Sequence, residues 1–226
     1  KQLMRRSENW RHVINPKTGW ADGRHQNRKW ENNLDLVHRK SYITEGATCH
    51  YTWYVPQNVE GLFQVISNSG QNVIARLDRM FDEGLYWHGN EPCHQIAYLY
   101  NKAGAPWKTQ QRIHHILNTE YNDTPGGLSG NDDAGQMSAW YMFSAIGFYP
   151  VCPATPYYYI GTPSFDKVTF NLENGRKFEI VAEGVDDENF YIQQVDLNGK
   201  SGYYLSHDDL LKGGKLSFRM GNSPKY

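Results

Sequence analysis

The most suggestive chemical pattern in the chain is a pair of adjacent carboxylates set against an apolar run. Residues 129–150 read SGNDDAGQMSAWYMFSAIGFYP, with Asp132 and Asp133 just before the apolar and aromatic residues and glycines on both sides. An acid in this place can cap the free N–H groups of a helix, bind a ligand or take part in catalysis. The pair on its own does not decide between these roles.

Two further segments share this character. Residues 42–56 read YITEGATCHYTWYVP and residues 86–95 read YWHGNEPCHQ, so both combine a carboxylate with glycine, polar and aromatic residues. Each lies at the predicted start of a helix or in the loop before one. For any single segment, helix capping is the simpler interpretation. If the helices pack side by side with these loops at the same end, all three segments lie close together in one site.

Acidic loops that meet in this way would supply the groups needed to hydrolyse a glycosidic bond. One carboxyl group protonates the departing oxygen, while a second activates water or attacks the anomeric carbon. The remaining Asp, Glu, Asn and Gln oxygens are the ligands that a hard cation such as Ca²⁺ prefers, typically about 6–8 of them. The residues alone therefore predict an acid/base site, without fixing its substrate.

Composition excludes several other classes of function. The 226 residues carry 23 Lys and Arg against 24 Asp and Glu, and no basic stripe indicates nucleic-acid binding. No run of about 18 apolar residues predicts a membrane span. Three cysteines are an odd count, which argues against a disulfide scaffold. The aromatic content of 14% slightly favours a carbohydrate partner, although aromatics also fill cores.

Hydrophobic spacing places the acidic segments among helices. The first forty residues are polar and turn-rich, and NPKTGWADGRHQNRKW within them is typical of a long loop. Apolar periodicity then predicts helices over residues 58–66 and 73–84. Further helices are expected in PCHQIAYLYNKAG, closed by Gly104, in APWKTQQRIHHILNTEY, and in AGQMSAWYMFSAIGFYP. The last of these has an apolar face formed by Met137, Trp140, Tyr141 and Ala145.

The residue pattern changes from helix-like to strand-like after about residue 150. Short β-branched or aromatic stretches, KVTFNL, KFEIVAE, NFYIQQVDLNGK, YYLSH and KLSFRM, are separated by turn signals such as Asn174-Gly175 and Asn198-Gly199. They predict an antiparallel β segment from about residue 157 onward.

Long composite motifs carry a resemblance to a known family. GNEPCHQIAYLYNKAGAPWKTQ, followed by PGGLSGNDDAGQMSAWYMFSAIGFYPVCPATPYYYIGTPSFDKVTF, closely resembles glycoside hydrolase family 92, the calcium-dependent exo-α-mannosidases. Upstream, NWRHVINPKTGW and EGATCHYTWYVPQNVEGLF match the order of that family, as does the tail SHDDLLKGGKLSFRMGNSP. The resemblance therefore covers nearly the whole chain.

The resemblance implies a mixed fold class. Residues 1–155 are expected to form the end of an (α/α)6 helical catalytic barrel, and residues 156–226 a terminal antiparallel β segment. The full enzyme is expected to have an N-terminal β-sandwich, so the missing N-terminal part of the same protein is an expected partner. A bacterial, periplasmic or extracellular location is also implied, although no signal peptide is visible in this chain.

The family also implies roles for particular residues. Glu45 of TEGATCHY matches the general acid, and Asp132 and Asp133 match the region of the general base, with the choice between them open. Asn90 and Glu91 of GNEP match a segment that lines substrate and calcium. Gln136 is a further candidate metal ligand, for which a packing or capping role is equally open.

Four more residues are candidate substrate contacts. Trp53 and Trp87 could stack on sugar or belong to the core, and His88 could touch sugar hydroxyls or support the residues that do. His50 stands where many relatives have Gln, in EGATCHY against roughly EGNAWQY, and could replace its polar contact. Asn90 stands where α-1,2-specific relatives are expected to have His, which weakens that linkage preference.

The implied function is hydrolysis of terminal α-linked mannose from glycans, with inversion and with Ca²⁺ as cofactor. Two alternatives remain open: a catalytically weak, calcium-dependent mannose-binding relative, and a mannosyl-phosphate diester hydrolase. The presence of both candidate acid positions favours the first function over the binding protein.

Overall fold

A computed structural model describes residues 1–31, 33–153, 155–199 and 202–226. The chain divides into two compact units, residues 1–96 and residues 97–226. The boundary between these units, after residue 96, differs from the domain boundary predicted after residue 155. The later strands share one unit with the helices that precede them. The predicted assignment of residues 1–155 to a barrel concerns a larger architecture and stays a prediction.

The first unit is mainly helical, but it begins with short elements that the sequence did not predict. In chain order it contains α1 (Gln2–Arg6), a 3₁₀ turn (Asn9–His12), β1 (Ile14–Asn15), β2 (Trp20–Ala21), α2 (Thr48–Tyr51), a 3₁₀ turn (Pro56–Asn58), α3 (Val59–Asn68), α4 (Val73–Asp82) and a 3₁₀ turn (Glu91–Cys93). Strands β1 and β2 pair antiparallel, with Ile14 and Trp20 buried. The long loop predicted for NPKTGWADGRHQNRKW is therefore interrupted by the β1–β2 pair.

Helices α3 and α4 confirm the predictions from apolar spacing. Asn58 and Asn72 are their N-caps, and the side-chain oxygens of these residues accept hydrogen bonds from Gly61 N–H and Ala75 N–H. The buried side of the two helices consists of Leu62, Ile66, Leu77 and Met80, together with Arg76. Amphipathic spacing thus fixes which face of each helix enters the core.

Buried Arg76 ties helix α4 to the β1–β2 hairpin. Its guanidinium donates to the carbonyl oxygens of Thr18 at 2.8 Å and Gly19 at 2.7 Å, and it lies 4.1 Å from the centre of the Trp20 ring. Burial lowers the pKa of Arg76 to about 10, which leaves it charged at neutral pH. Gly19 has a positive φ of 68°, a left-handed turn that glycine adopts without strain.

The second unit combines helices with two sheets. A 3₁₀ turn (Ile96–Tyr98) contains the boundary between the units along the chain. The second unit then contains α5 (Leu99–Lys102), α6 (Pro106–Thr119), α7 (Gln136–Ile146), β3 (Phe148–Tyr149), β4 (Tyr157–Ile160), β5 (Lys167–Asn171), β6 (Lys177–Glu183), β7 (Tyr191–Leu197), β8 (Tyr204–Ser206), α8 (His207–Leu211) and β9 (Gly214–Gly221). The helix predicted in PCHQIAYLYNKAG is instead a succession of 3₁₀ turns and the short α5.

The β segment is mostly, but not wholly, antiparallel. One sheet has the order β3-β4-β8 and is antiparallel throughout, whereas the other has the order β5-β6-β9-β7 and contains a parallel β6–β9 pair. The prediction of a purely antiparallel segment is wrong for that pair. The intervening β7, β8 and α8 form a connection long enough to bring β9 back in the direction of β6.

Alternating side chains of the four-stranded sheet form the core of this unit. Phe178, Ile180 and Ala182 of β6 are buried, and β9 contributes Leu216 and Phe218 to the same cluster. Residues of α7 also pack on this cluster, which explains why the strands and helices form one compact unit.

Helix α7 confirms its predicted position but not all of its predicted face. Met137, Trp140 and Ala145 are buried, whereas Tyr141 is 37% exposed. Tyr141 follows Trp140 by about 100° around the helix and so falls at the edge of the buried face. Within the described part of the chain, no helix is long and apolar enough to cross a bilayer.

Candidate active site

Two of the predicted site residues meet in the first unit. Asn90 Nδ2 donates to Glu45 Oε2 at 2.8 Å, although the residues are 45 positions apart in sequence. Asn90 is buried, while Glu45 is exposed on the turn before α2. A buried amide therefore orients a carboxyl group that stays at the surface.

His50 stabilises the turn that carries Glu45 through two contacts with the backbone. Its Nδ1 accepts the Ala47 N–H at 3.0 Å, and its Nε2 lies 2.8 Å from the Leu85 carbonyl oxygen, so Nε2 carries the proton. Burial lowers the pKa of His50, which favours this neutral tautomer. A Cβ on Gly46 would lie 2.7 Å from Nδ1, and Gly46 has φ of +62°, so the turn requires glycine.

The contact between His50 and substrate stays a prediction, and the structure shows a different set of partners for the ring. Both ring nitrogens are taken by backbone groups, one on the Glu45 turn and one in the loop that leads to Asn90. The imidazole therefore connects the turn that carries Glu45 with the loop that carries Asn90. It helps to position the Glu45–Asn90 pair.

The Tyr51 side chain lies close to the Glu45 carboxylate. Burial raises the pKa of Tyr51, and the nearby carboxylates of Glu45 and Glu91 raise it further. Glu45, Asn90, Glu91 and Tyr51 thus form one polar cluster, to which Tyr51 was not assigned by the sequence motifs.

The histidines around the GNEP segment are structural. His88 is 1% exposed and its Nδ1 lies 2.7 Å from the Tyr86 hydroxyl. His94 Nε2 donates to the His88 carbonyl oxygen at 2.9 Å, and the two rings lie 4.9 Å apart. Burial lowers the pKa of His88 to about 3 and that of His94 to about 4. The buried His88 supports the loop before Asn90, and a contact between His88 and sugar stays a prediction.

The two candidate stacking tryptophans differ in accessibility. Trp53 is completely buried, and its carbonyl oxygen accepts a hydrogen bond from Gln95, so the core alternative holds and no ring face is available to sugar. Trp87 is 42% exposed and lies 6.0 Å from the His50 ring. Only Trp87 of this pair keeps a surface on which a sugar ring can stack.

The paired aspartates lie in the second unit and have different surroundings. Asp132 Oδ1 accepts both the backbone N–H of Ser138 at 2.9 Å and its hydroxyl at 2.8 Å, which caps the first turn of α7. The backbone bond first, and then the hydroxyl bond, lower the pKa of Asp132. Asp133 is exposed, and no hydrogen bond to its side chain is formed within the described ranges.

A strained backbone directs the side chains of Asp132 and Asp133 differently. Asp133, Ala134 and Gly135 have φ values of +48°, +58° and +97°, three left-handed residues in succession. For a non-glycine residue such as Ala134 this conformation costs about 1–2 kcal/mol. Strain of this kind accumulates where function fixes a conformation. Here it turns the two carboxylates in different directions, one toward the helix and one toward solvent.

The residues predicted as calcium ligands would be too few for a complete calcium shell. Asn90 and Glu91 are adjacent hard oxygen donors, and Gln136 Nε2 in the other unit donates to the Tyr149 hydroxyl at 3.2 Å. Among the residues that the structure describes, no group of three or more His, Cys, Asp or Glu side chains is arranged to hold a metal. Since Ca²⁺ takes about 6–8 oxygens, further ligands would have to come from water, substrate or additional protein.

Comparison with known proteins gives one consistent result. A sequence model described as the glycosyl hydrolase family 92 catalytic domain matches residues 1–222. A protein of Arthroderma benhamiae described as an uncharacterized secreted glycosidase is 27% identical over 249 residues, covering 98% of this chain and 32% of that protein.

Solved structures agree with the sequence match. A family GH92 α-mannosidase from Bacteroides thetaiotaomicron is 42% identical, with a TM-score of 0.89 over 96% of this chain and 30% of its own. A family GH92 inverting mannosidase from the same organism is 35% identical, with a TM-score of 0.90 over 99% of this chain and 34% of its own. The chain spans about a third of the length of these relatives. From the match over residues 1–222, the chain belongs to glycosyl hydrolase family 92.

Proposed function

We propose that the protein containing this chain is an exo-acting α-mannosidase that removes terminal α-linked mannose with inversion at the anomeric carbon. The observation that carries the proposal is the Glu45 carboxyl, which Asn90 orients at the surface. One structure similar to this chain is a family GH92 inverting mannosidase, which supports inversion. The substrate would be a mannose-containing glycan. The description of a similar protein as secreted supports an extracytoplasmic location.

Glu45 would protonate the oxygen of the departing group. The bond from Asn90 engages Oε2 and so leaves Oε1 to carry the proton. The His50 bridge fixes the backbone that follows Glu45. This arrangement favours transfer of one proton along one direction, which is what a general acid requires.

Asp133 would activate the attacking water, with Asp132 as its anchor. Two hydrogen bonds from Ser138 hold one oxygen of Asp132 and lower its pKa, which makes Asp132 the weaker base. The Asp133 carboxylate is exposed and free of such bonds within the described residues. A carboxylate base on the face opposite the bond being broken produces inversion.

Calcium is proposed as the cofactor of the whole protein. Asn90 and Glu91 are proposed to contribute oxygens to it, and Gln136 is a separate candidate ligand. A bound Ca²⁺ would supply positive charge that orients sugar hydroxyl groups.

The proposal is tested by the anomer that forms first. The full-length protein is incubated with an aryl α-mannoside, and the products are followed by ¹H NMR before mutarotation. β-Mannose should appear first. Initial release of α-mannose would refute inversion, and absence of turnover on every α-mannoside tested would refute the mannosidase assignment.

A further inference from the structure

Two buried cysteines lie on the segments that carry the proposed acid and its amide partner. Cys49 belongs to α2, which follows the Glu45 turn, and Cys93 ends the 3₁₀ turn that follows Asn90. The two cysteines are 1% and 0% exposed, and in this structure both are free thiols. Neither has a part in the proposed acid/base chemistry, so their place in the fold needs a separate explanation.

The segments that carry these two thiols lie side by side. Helix α2 packs directly against the 3₁₀ turn Glu91–Cys93. The hydrogen bond from Asn90 to Glu45 crosses between the same two segments. Burial first, and then a negative charge on the nearby Cys49, raise the pKa of Cys93. The two sulfur atoms therefore share one buried region between α2 and the 3₁₀ turn.

Neighbouring buried thiols can bind a metal together or form a disulfide. Structural zinc takes four protein ligands, and no group of three or more His, Cys, Asp or Glu side chains in the described ranges is arranged to hold a metal. A disulfide needs only the two sulfur atoms and an oxidant. Disulfides persist in oxidising compartments outside the cytoplasm, and the description of a similar protein as secreted supports such a compartment.

We propose that Cys49 and Cys93 form a disulfide that ties the Glu45 turn to the segment carrying Asn90 and Glu91. In this step each S–H group loses its proton, an S–S bond forms, and the two electrons pass to a small-molecule disulfide such as oxidised glutathione, which becomes two thiols. The proposal needs the oxidising conditions of the proposed extracytoplasmic location, but it does not depend on the mannosidase activity.

The bond forms while the chain folds. Burial raises the pKa of Cys49 to about 11 and that of Cys93 to about 12, so the folded chain contains little of the thiolate that reacts. Once formed, the bond closes the chain between the two cysteines, including α3 and α4, into a loop. Such a cross-link reduces the freedom of the unfolded chain and stabilises the folded one.

The test compares one full-length protein made in two compartments. It is produced with export to a bacterial periplasm and, separately, in the reducing cytoplasm; free thiols are then alkylated with iodoacetamide under denaturing conditions. Peptide mass spectrometry of the exported protein should find the Cys49 and Cys93 peptides linked, at about 2 Da below the sum of the two reduced peptides. The cytoplasmic protein should have both cysteines alkylated. The exported protein should melt at least about 2 °C higher.

Two variants of the exported protein assign the partners of the bond. Cys49→Ala should leave Cys93 open to alkylation, whereas Cys152→Ser, which removes a buried cysteine of the second unit, is the matched control and should keep the linked pair. Alkylation of both Cys49 and Cys93 in the exported wild-type protein, or a link from either to another cysteine, would overturn the proposal. Equal melting temperatures of the linked and unlinked proteins would overturn its stabilising role. None of these measurements uses turnover, so failure of the mannosidase assignment would be seen separately.

Discussion

The bridge made by His50 leads to a prediction whose size follows from its two bonds. His50→Phe keeps a planar ring but removes both nitrogens. The buried Ala47 N–H then loses its 3.0 Å partner, which costs about 1–3 kcal/mol, and the Leu85 carbonyl oxygen loses a 2.8 Å bond worth about 0.5–1.5 kcal/mol. The free energy of unfolding of this region should fall by about 2–4 kcal/mol. Denaturant unfolding followed by tryptophan fluorescence measures the loss.

The same substitution should also disturb the proposed acid. Because the freed turn no longer fixes Glu45, kcat/KM should fall more on an alkyl α-mannoside than on 2,4-dinitrophenyl α-mannoside, whose leaving group needs little protonation.

His50→Gln is the matched control, since its side-chain amide can both accept from Ala47 and donate to Leu85. It should recover at least half of the lost stability and most of the rate on alkyl mannosides. If His50→Phe unfolds like the wild-type protein and keeps the same ratio of rates, the bridge does not position Glu45 and the reasoning is wrong.

Four further expectations concern the candidate site and its surroundings. Asp133→Asn should lower kcat by about 10²–10⁴-fold with little change in melting temperature, whereas Asp132→Asn should mainly lower the melting temperature by weakening the α7 cap; the reverse pattern would exchange their roles. Glu45→Gln should abolish turnover of alkyl mannosides but spare dinitrophenyl mannosides, and equal losses on both would remove the acid role. Exhaustive chelation should stop turnover and added Ca²⁺ restore it, so full activity after chelation would contradict the calcium proposal. The folded-state pKa values of His88 and His94, about 3 and 4, lie below the ordinary 6.5. The unfolded chain therefore binds more protons, and stability should fall between about pH 6.5 and 4, by up to about 1.4 kcal/mol per pH unit for each histidine; urea unfolding across this range, compared with His94→Gln, measures the slope.

Local patterns in the sequence determined most of the secondary structure. Apolar spacing located α3, α4, α6 and α7, because one face of each must enter a core. Short β-branched stretches located β5 to β9 for the same reason, with a period of two. The motifs also singled out Glu45 and Asn90, which the structure brings together by a hydrogen bond. These features depend on neighbours in the chain, so they are readable without the fold.

Long-range packing decided what no local pattern could. The parallel pairing of β6 with β9 depends on a connection through three other elements. Trp53 and His88 are buried in the folded chain. The sequence around each of them does not show whether the residue lines a site or supports one.

The roles of the polar side chains were likewise set by tertiary contacts. His50 became a bridge because the Leu85 carbonyl lies within reach of its ring, 35 positions along the chain. A side chain carries its chemistry in the sequence, but which of its atoms stay free depends on the neighbours that the fold places around it.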